Sequence, residues 1–447
     1  MSINNFMKEL SKNMYLPKEE YNNIVDLLEL YEKDNITLEE YIKNNYNKIF
    51  ENWKKEYYMF NIPGAILSIK VNDIEKHIEI NNDIDTIFDI ASITKLYTEY
   101  ILLKIIDNKD YNISLDTKIT DLVNIYPNLD SNFKIIDLIS FGNTYNTLED
   151  IRTSKNKEEA LIRLRTAKIV EEKRGYYLYT DIPIMILTDI LETYTKKTYK
   201  ELFDKYIIED LKLYDTHLIL SEKDKLKYMG YDKNTVNDPK ANIMGGFYGH
   251  AGVKVTSKDL ISFISNFYNS FSKEMIDIIN KKSNTKNIDY DINGYKTEDI
   301  KNINNHMQTK NRALIGNFNI AVDKTIINDF IPSTLASDSM SKIGFAVQGS
   351  TRVHAETSII YMNNKEYKTS TSLLLDIVNE YNEAKEYEKI TGKIITKEGE
   401  NDYTNKHYTL DPRTLLPYNG IYKELVNLIA RGRILLIYSD YKKIQKN

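Results

Sequence analysis

The stretch Phe88-Asp-Ile-Ala-Ser-Ile-Thr-Lys95 decides how this chain is read. Asp89 stands where an N-cap belongs, ahead of a helix expected over Ile90 to Asp107, whose apolar residues Ile93, Leu96, Tyr97, Tyr100, Ile101, Leu103 and Ile105 predict burial on most sides. Ser92 and Lys95 are three residues apart near the first turn, so they share a face close to the positive end of the helix dipole. That arrangement suits a nucleophile and its base. Burial disfavours a charged amine, so a neutral lysine can accept the serine proton, and the helix start can stabilise an oxyanion. Taken alone, Ser-x-x-Lys arises by chance, with a first-turn serine and a lysine reaching to water.

Outward from this stretch, residues 1–56 read as an N-terminal helical extension. Tyr21-Asn-Asn-Ile-Val-Asp-Leu-Leu-Glu-Leu-Tyr31 has helical apolar spacing, and Thr37-Leu-Glu-Glu40 is a capping box. From Pro63 the pattern changes to Gly-Ala-Ile-Leu-Ser-Ile-Lys-Val and then His77-Ile-Glu-Ile, two adjacent strands. Helices are expected at Asp181–Tyr194 and Thr198–Asp210, and Gly245-Gly246 with Gly249-His-Ala-Gly252 marks a turn region. Residues 275–310 read as a surface insertion. Thr357-Ser-Ile-Ile-Tyr-Met and Ser372-Leu-Leu-Leu-Asp-Ile-Val predict paired strands joined through Asn363-Asn-Lys-Glu. A polar segment follows from 379, then a C-terminal helix from about Gly420 to Tyr441.

Composition removes several classes of function. With 42% hydrophobic and 28% charged residues the chain is a folded globular protein. Its 60 basic and 65 acidic residues nearly balance, without a basic run, so no nucleic-acid partner is expected. The absence of cysteine excludes disulfides, thiolate catalysis and cysteine-ligated metals. Neither a signal peptide nor a membrane span is read, and the expected compartment is the cytoplasm. The abundance of Tyr (35), Asn, Ile and Lys is read as compositional background, so a single tyrosine carries little information.

The stretch 88–95 closely resembles the first motif of the serine β-lactamase and penicillin-binding-protein superfamily, in the branch of class C β-lactamases, D,D-peptidases and related esterases. The resemblance continues in order through Pro63-Gly-Ala-Ile-Leu, Leu115-Asp-Thr-Lys-Ile and Tyr179-Thr-Asp181 with its apolar helix. It extends through Thr195-Lys-Lys-Thr-Tyr-Lys-Glu-Leu-Phe203, Leu211-Lys-Leu-Tyr-Asp-Thr216, Asp238-Pro-Lys-Ala241, the glycine cluster and Ser257-Lys-Asp-Leu260. These pieces span roughly residues 58 to 375. The implied fold is α+β, β-lactamase/transpeptidase-like: an antiparallel sheet flanked by helices with a helical subdomain, over residues 57–378. The extensions 1–56 and 379–447 lie outside it. By the same resemblance Ser92 is the acylated nucleophile, Lys95 its general base and Tyr179 a phenolic relay to the leaving group. Asp181 stands where Asn or Asp bonds the lysine or substrate; its plainer role is an N-cap.

The family's third motif, Lys-Thr-Gly or His-Thr-Gly on the strand lining the cleft, is expected within Ile343-Gly-Phe-Ala-Val-Gln-Gly-Ser-Thr-Arg-Val-His-Ala-Glu-Thr-Ser-Ile-Ile360. Counting back from Thr357 puts Thr351-Arg-Val353 in the slot; counting forward from Ile343 puts Phe345-Ala-Val347 there. Ser350, Thr351, Arg352 and His354 are read as substitutes that bind substrate, with an ordinary half-buried strand position as the other reading of His354. His250 is read as a turn residue whose imidazole bonds backbone, since a serine–lysine–tyrosine site needs no histidine base. Six scattered histidines give no metal spacing, so neither metal nor other cofactor is expected. The expected activity is hydrolysis of a small ester or D-amino-acid-type amide through an acyl-enzyme on Ser92, with β-lactams as further ligands. The alternative is a binding or regulatory protein that keeps the fold without the chemistry. The partner is a small-molecule or peptide substrate, and the terminal helices are candidates for holding a protein partner.

Overall fold

The computed structural model describes residues 2–13, 16, 18–56, 64–177, 180–229, 234–236, 238–267, 269–279, 286–287, 319–320, 338–345, 351–362, 365–376 and 415–446. Three helices open the chain: α1 (Ile3–Asn13), α2 (Lys18–Glu32) and α3 (Leu38–Glu56). The expected capping box starts α3, with Glu40 N donating to Thr37 Oγ1 at 3.2 Å and Thr37 N to Glu40 Oε2 at 2.9 Å. The strands β1 (Gly64–Val71) and β2 (Ile74–Ile80) form a hairpin. Short β3 (Ile87–Asp89) leads through a 3₁₀ turn, Ala91–Ile93, into α4 (Thr94–Asn108).

The middle of the chain is largely helical. It includes α5 (Ile182–Thr195), β4 (Thr216–His217), the five-residue α6 (Pro239–Ile243), β5 (Lys254–Thr256) and α7 (Ser257–Asn266). The strands β6 (Asn319–Ile320), β7 (Asp338–Phe345), β8 (Thr351–Met362) and β9 (Lys365–Asp376) precede the long α8 (Leu415–Lys446). The expected strand pair at 357 and 372 is therefore a longer hairpin, with Met362 opposite Lys365. The helix expected at Thr198–Asp210 starts as α-helix, Tyr199–Phe203, widens into a π-helical turn, Asp204–Glu209, and closes as α-helix at Asp210 and Leu211. Most of the expected insertion at 275–310 and the polar segment before α8 lie outside the described residues.

The main sheet runs β6-β7-β8-β9-β1-β2, every neighbouring pair antiparallel. Strand alternation divides its side chains between two layers. Ile66, Val353, Ala355 and Leu374 join the core built around α4 and α5. Leu67, Ile69, Ile360, Leu373 and Leu375 join a second core, which α1, α2, α3 and α8 close through residues such as Phe6, Leu28, Ile42 and Leu428. The terminal helices, expected as extensions, thus form the outer layer of a three-layer structure. Their apolar faces are occupied by the sheet, which leaves those faces unavailable to the protein partner considered from sequence. Among the described residues no helix is long and apolar enough to cross a membrane.

Candidate active site

The turn before α4 departs from a simple capped helix. Asp89 does not cap α4, which begins five residues later; its carboxylate instead accepts from Ala91 N at 2.8 Å, and Ala91 takes φ 46°, a left-handed conformation that costs an alanine about 1–2 kcal/mol. The kink sets Ser92 in the 3₁₀ turn, partly exposed, while the next helical turn is sealed. Lys95 is 0% exposed. Its Nζ donates to Ser92 Oγ at 2.8 Å and to the His250 carbonyl at 3.1 Å, and lies 2.7 Å from Asp181 Oδ1.

The glycine-rich loop is laced to α4. Thr98 Oγ1 donates to Gly249 O at 2.7 Å, Val253 N to Thr94 Oγ1 at 3.1 Å, and Ile90 N to Val253 O at 3.1 Å. Gly249 is required by space, since a Cβ there would stand 1.9 Å from Thr188 Oγ1. The loop thereby presents the His250 carbonyl to Lys95. The His250 ring is fully buried and bonds the Asp238 carboxylate, with 2.9 Å between Nε2 and Oδ1, instead of the backbone expected from sequence.

Asp181 has no capping hydrogen bond despite standing at the N-terminus of α5. Its second oxygen meets Lys240 Nζ at 2.8 Å, and Lys240 also lies 3.7 Å from Asp238 Oδ2. Burial pushes the Asp181 carboxyl up, but Lys240, then Lys95 and His250, outweigh it and hold the group well below the usual carboxylate range. Asp238 follows the same balance, burial opposed by Lys240 and His250, and falls to about 2. Asp181, Asp238 and His250 bring potential metal-ligand atoms within 4.8 Å of one another. Lysine Nζ atoms already occupy both Asp181 oxygens, so a cation entering there would have to displace Lys95 or Lys240.

The other sequence-predicted residues fare differently. Tyr179 and Ser350 lie outside the described residues, and for Thr351 and Arg352 only the backbone of β8 is described. His354 is a correction: it is 0% exposed, 3.6 Å from Glu356 Oε2, and Glu356 in turn pairs with Arg433 of α8 at 3.0 Å. That places His354 on the terminal-helix face, whereas its neighbours Val353 and Ala355 pack on the Ser92 face. One residue of parity separates the two outcomes.

Two strands of the main sheet run beside the serine turn. Both β7 and β8 come within 8 Å, Cα to Cα, of the Ala91–Ile93 turn, β7 more extensively. On β7 stands Lys342-Ile343-Gly344, the first and third residues of the Lys-Thr-Gly triplet with isoleucine between them, and Lys342 is in register with Ala355. Both registers counted from sequence lie C-terminal to it, at Phe345–Val347 and Thr351–Val353. Lys240 was likewise missed as a site residue.

A second serine–histidine–carboxylate chain, Ser68, His77 and Glu75, has the expected hydrogen bonds, with 2.7 Å from Ser68 Oγ to His77 Nδ1 and 2.9 Å from His77 Nε2 to Glu75 Oε1. Its serine is fully buried and shares a 2.5 Å hydrogen bond with Ser257, so no acyl group can reach it.

A sequence model described as beta-lactamase matches residues 56–289, just over half of the chain. No curated protein matches the sequence. Among solved structures, the fold is similar to a class C beta-lactamase from Rhodobacter sphaeroides, with TM-score 0.52, 14% identity, and coverage of 78% of this chain and 99% of that one. A beta-lactamase/D-alanine carboxypeptidase from Yersinia pestis, complexed with citrate, aligns with TM-score 0.52 and 15% identity over 85% of this chain and 98% of that one. The octameric penicillin-binding protein homologue from Pyrococcus abyssi gives TM-score 0.51 and 16% identity over 78% and 77%.

Proposed function

This chain belongs to the beta-lactamase family, whose members are serine hydrolases, and from that premise we propose that it cleaves a small ester or D-amino-acid-type amide through an acyl-enzyme on Ser92. The observation that carries the reading is the fully buried Lys95 Nζ 2.8 Å from the partly exposed Ser92 Oγ. In the acylation step Ser92 Oγ bonds the substrate carbonyl carbon while its proton passes to neutral Lys95. Collapse of the tetrahedral intermediate breaks the bond to the leaving group, which takes that proton back, with Tyr179 as the relay. Water then attacks the acyl-enzyme and restores Ser92. Asp181 and the His250 carbonyl orient the Lys95 amine toward the serine.

In this reading Lys342, whose register partner Ala355 packs on the Ser92 face, supplies a cation for a substrate anion. Labelling with a fluorophosphonate or a fluorescent penicillin tests the covalent step: label is expected on the native chain and lost in Ser92→Ala. A folded native chain that takes neither probe at any pH argues for the binding-protein alternative. Lys342→Ala is expected to raise KM for carboxylate-bearing esters about tenfold or more while sparing neutral ones, the loss of one charge-assisted contact.

A further inference from the structure

We infer that Lys240 is a positioning residue of this site, whose ammonium engages one oxygen of Asp181 and so leaves Lys95, on the other oxygen, free to give up its proton. The inference rests on the acyl-enzyme reading above and adds to it a residue that acts through Asp181.

The effect of Lys240 on Lys95 is electrostatic. A carboxylate held by a single ammonium in a buried site stabilises the charged lysine, and a lysine so held is a poor base. In this site Asp181 is shared: Oδ1 faces Lys95 at 2.7 Å and Oδ2 faces Lys240 at 2.8 Å. Lys240 acts twice in the same direction. It draws on the Asp181 charge, and its own charge, across one carboxylate from Lys95, opposes a second ammonium there. Its geometry is fixed by a short capped helix, with Asp238 accepting from Ala241 N at 2.9 Å and Pro239 setting the first helical position. Lys240 is only 13% exposed, so solvent screens it weakly.

The charged and titratable groups facing this pair come from every neighbouring element. They are Asp181 at the start of α5, Asp238 and His250 beside α6, and Asp150, whose carboxyl also feels Lys240; Glu99, buried on α4, lies four residues from Lys95. Lys95 and Lys240 balance Asp181 and Asp238. When Lys95 is neutral, Lys240 remains the ammonium that faces both Asp181 and Asp238.

The test compares Lys240→Met and Lys240→Arg with the native chain, reading the rate of fluorophosphonate labelling at Ser92 as a function of pH. Lys240→Met is expected to move the acidic limb of the profile up by about one pH unit and to slow labelling near neutrality about tenfold. Lys240→Arg keeps the charge and is expected to restore the native limb. A uniform slowing at every pH with the limb unmoved, or a folded Lys240→Arg that behaves like Lys240→Met, overturns the inference. If the native chain does not label at all, the acyl-enzyme reading fails separately. A side-chain NMR titration of the Lys95 amine then decides: a higher midpoint in Lys240→Met upholds the coupling, and an unchanged midpoint overturns it.

Discussion

The two faces of the main sheet each carry a set of opposed charges, and the sets differ in what closes over them. On the α4 face, Lys95, Asp181, Lys240, Asp238 and His250 converge behind Ser92, with Asp181 still 22% exposed and Lys240 13%. On the terminal-helix face, Arg433, Glu356 and His354 are all 0% exposed, sealed between α8 and β8. The first set opens to substrate and water at one edge. The second meets only protein, so its charges can hold α8 in register on the sheet but cannot touch a reacting molecule. A histidine on a strand beside the nucleophile is therefore uninformative until its parity is known.

The largest expected effect tests the sealed set. Arg433→Met removes the guanidinium from the fully buried Glu356 carboxylate, and the expected loss is about 3–5 kcal/mol of stability by denaturant unfolding. The fraction that remains folded should label at Ser92 with the native pH profile. Replacing both partners, Arg433→Met with Glu356→Leu, should recover much of the loss, because the penalty is the orphaned charge. A shifted labelling profile in the single variant would connect the two faces and end the contrast drawn between them.

A smaller effect tests the open set. Asp238 titrates at about 2 in the folded chain, below its usual value of about 3.8. A depressed carboxyl contributes stability above the unfolded pKa and loses it as pH falls through the folded one, so the relevant window runs from about pH 4 to about pH 2. Asp238→Asn keeps a capping oxygen and removes the charge. It is expected to cost on the order of 2 kcal/mol near neutrality, the difference from the native chain shrinking across that window. A difference that persists at pH 2 would show that shape and not charge holds His250.

The sequence signalled these regions unequally, for physical reasons. The capping box at Thr37 and Glu40, the apolar run of α5 and the hairpin of β8 and β9 depend on local pattern, and all appear where pattern puts them. Ser92 and Lys95 meet because a spacing of three is itself local, and Asp181 joins them from the start of the apolar α5. The start of α4 was not legible, because Ala91 adopts a left-handed conformation that no alanine advertises. Strand β7, Asp-Ser-Met-Ser-Lys-Ile-Gly-Phe, carries no alternation of apolar residues, so Lys342 had no strand to sit on until pairing with β8 supplied one. Lys240 gave no signal in a lysine-rich chain. Its meaning comes from Asp181, 59 positions away in the sequence.

The smallest effect probes how closely α8 lies on the sheet. Gly432, next to Arg433, faces β1 and α3, and a Cβ there would stand 2.6 Å from Ile69 Cδ1 and 3.1 Å from both Ile42 Cδ1 and Leu38 Cδ1. Two terms oppose each other in Gly432→Ala. Removing a glycine from a helix interior gains about 1 kcal/mol, while overpacking a filled contact costs typically about 1–3 kcal/mol. The atoms that crowd the site are the ends of flexible side chains, so part of the clash relaxes. The balance expected is a net loss of about 1 kcal/mol, with labelling at Ser92 unchanged. A variant more stable than the native chain would mean that helix propensity outweighs contact here, and that Arg433 is held by its ion pair with little help from the packing beside it.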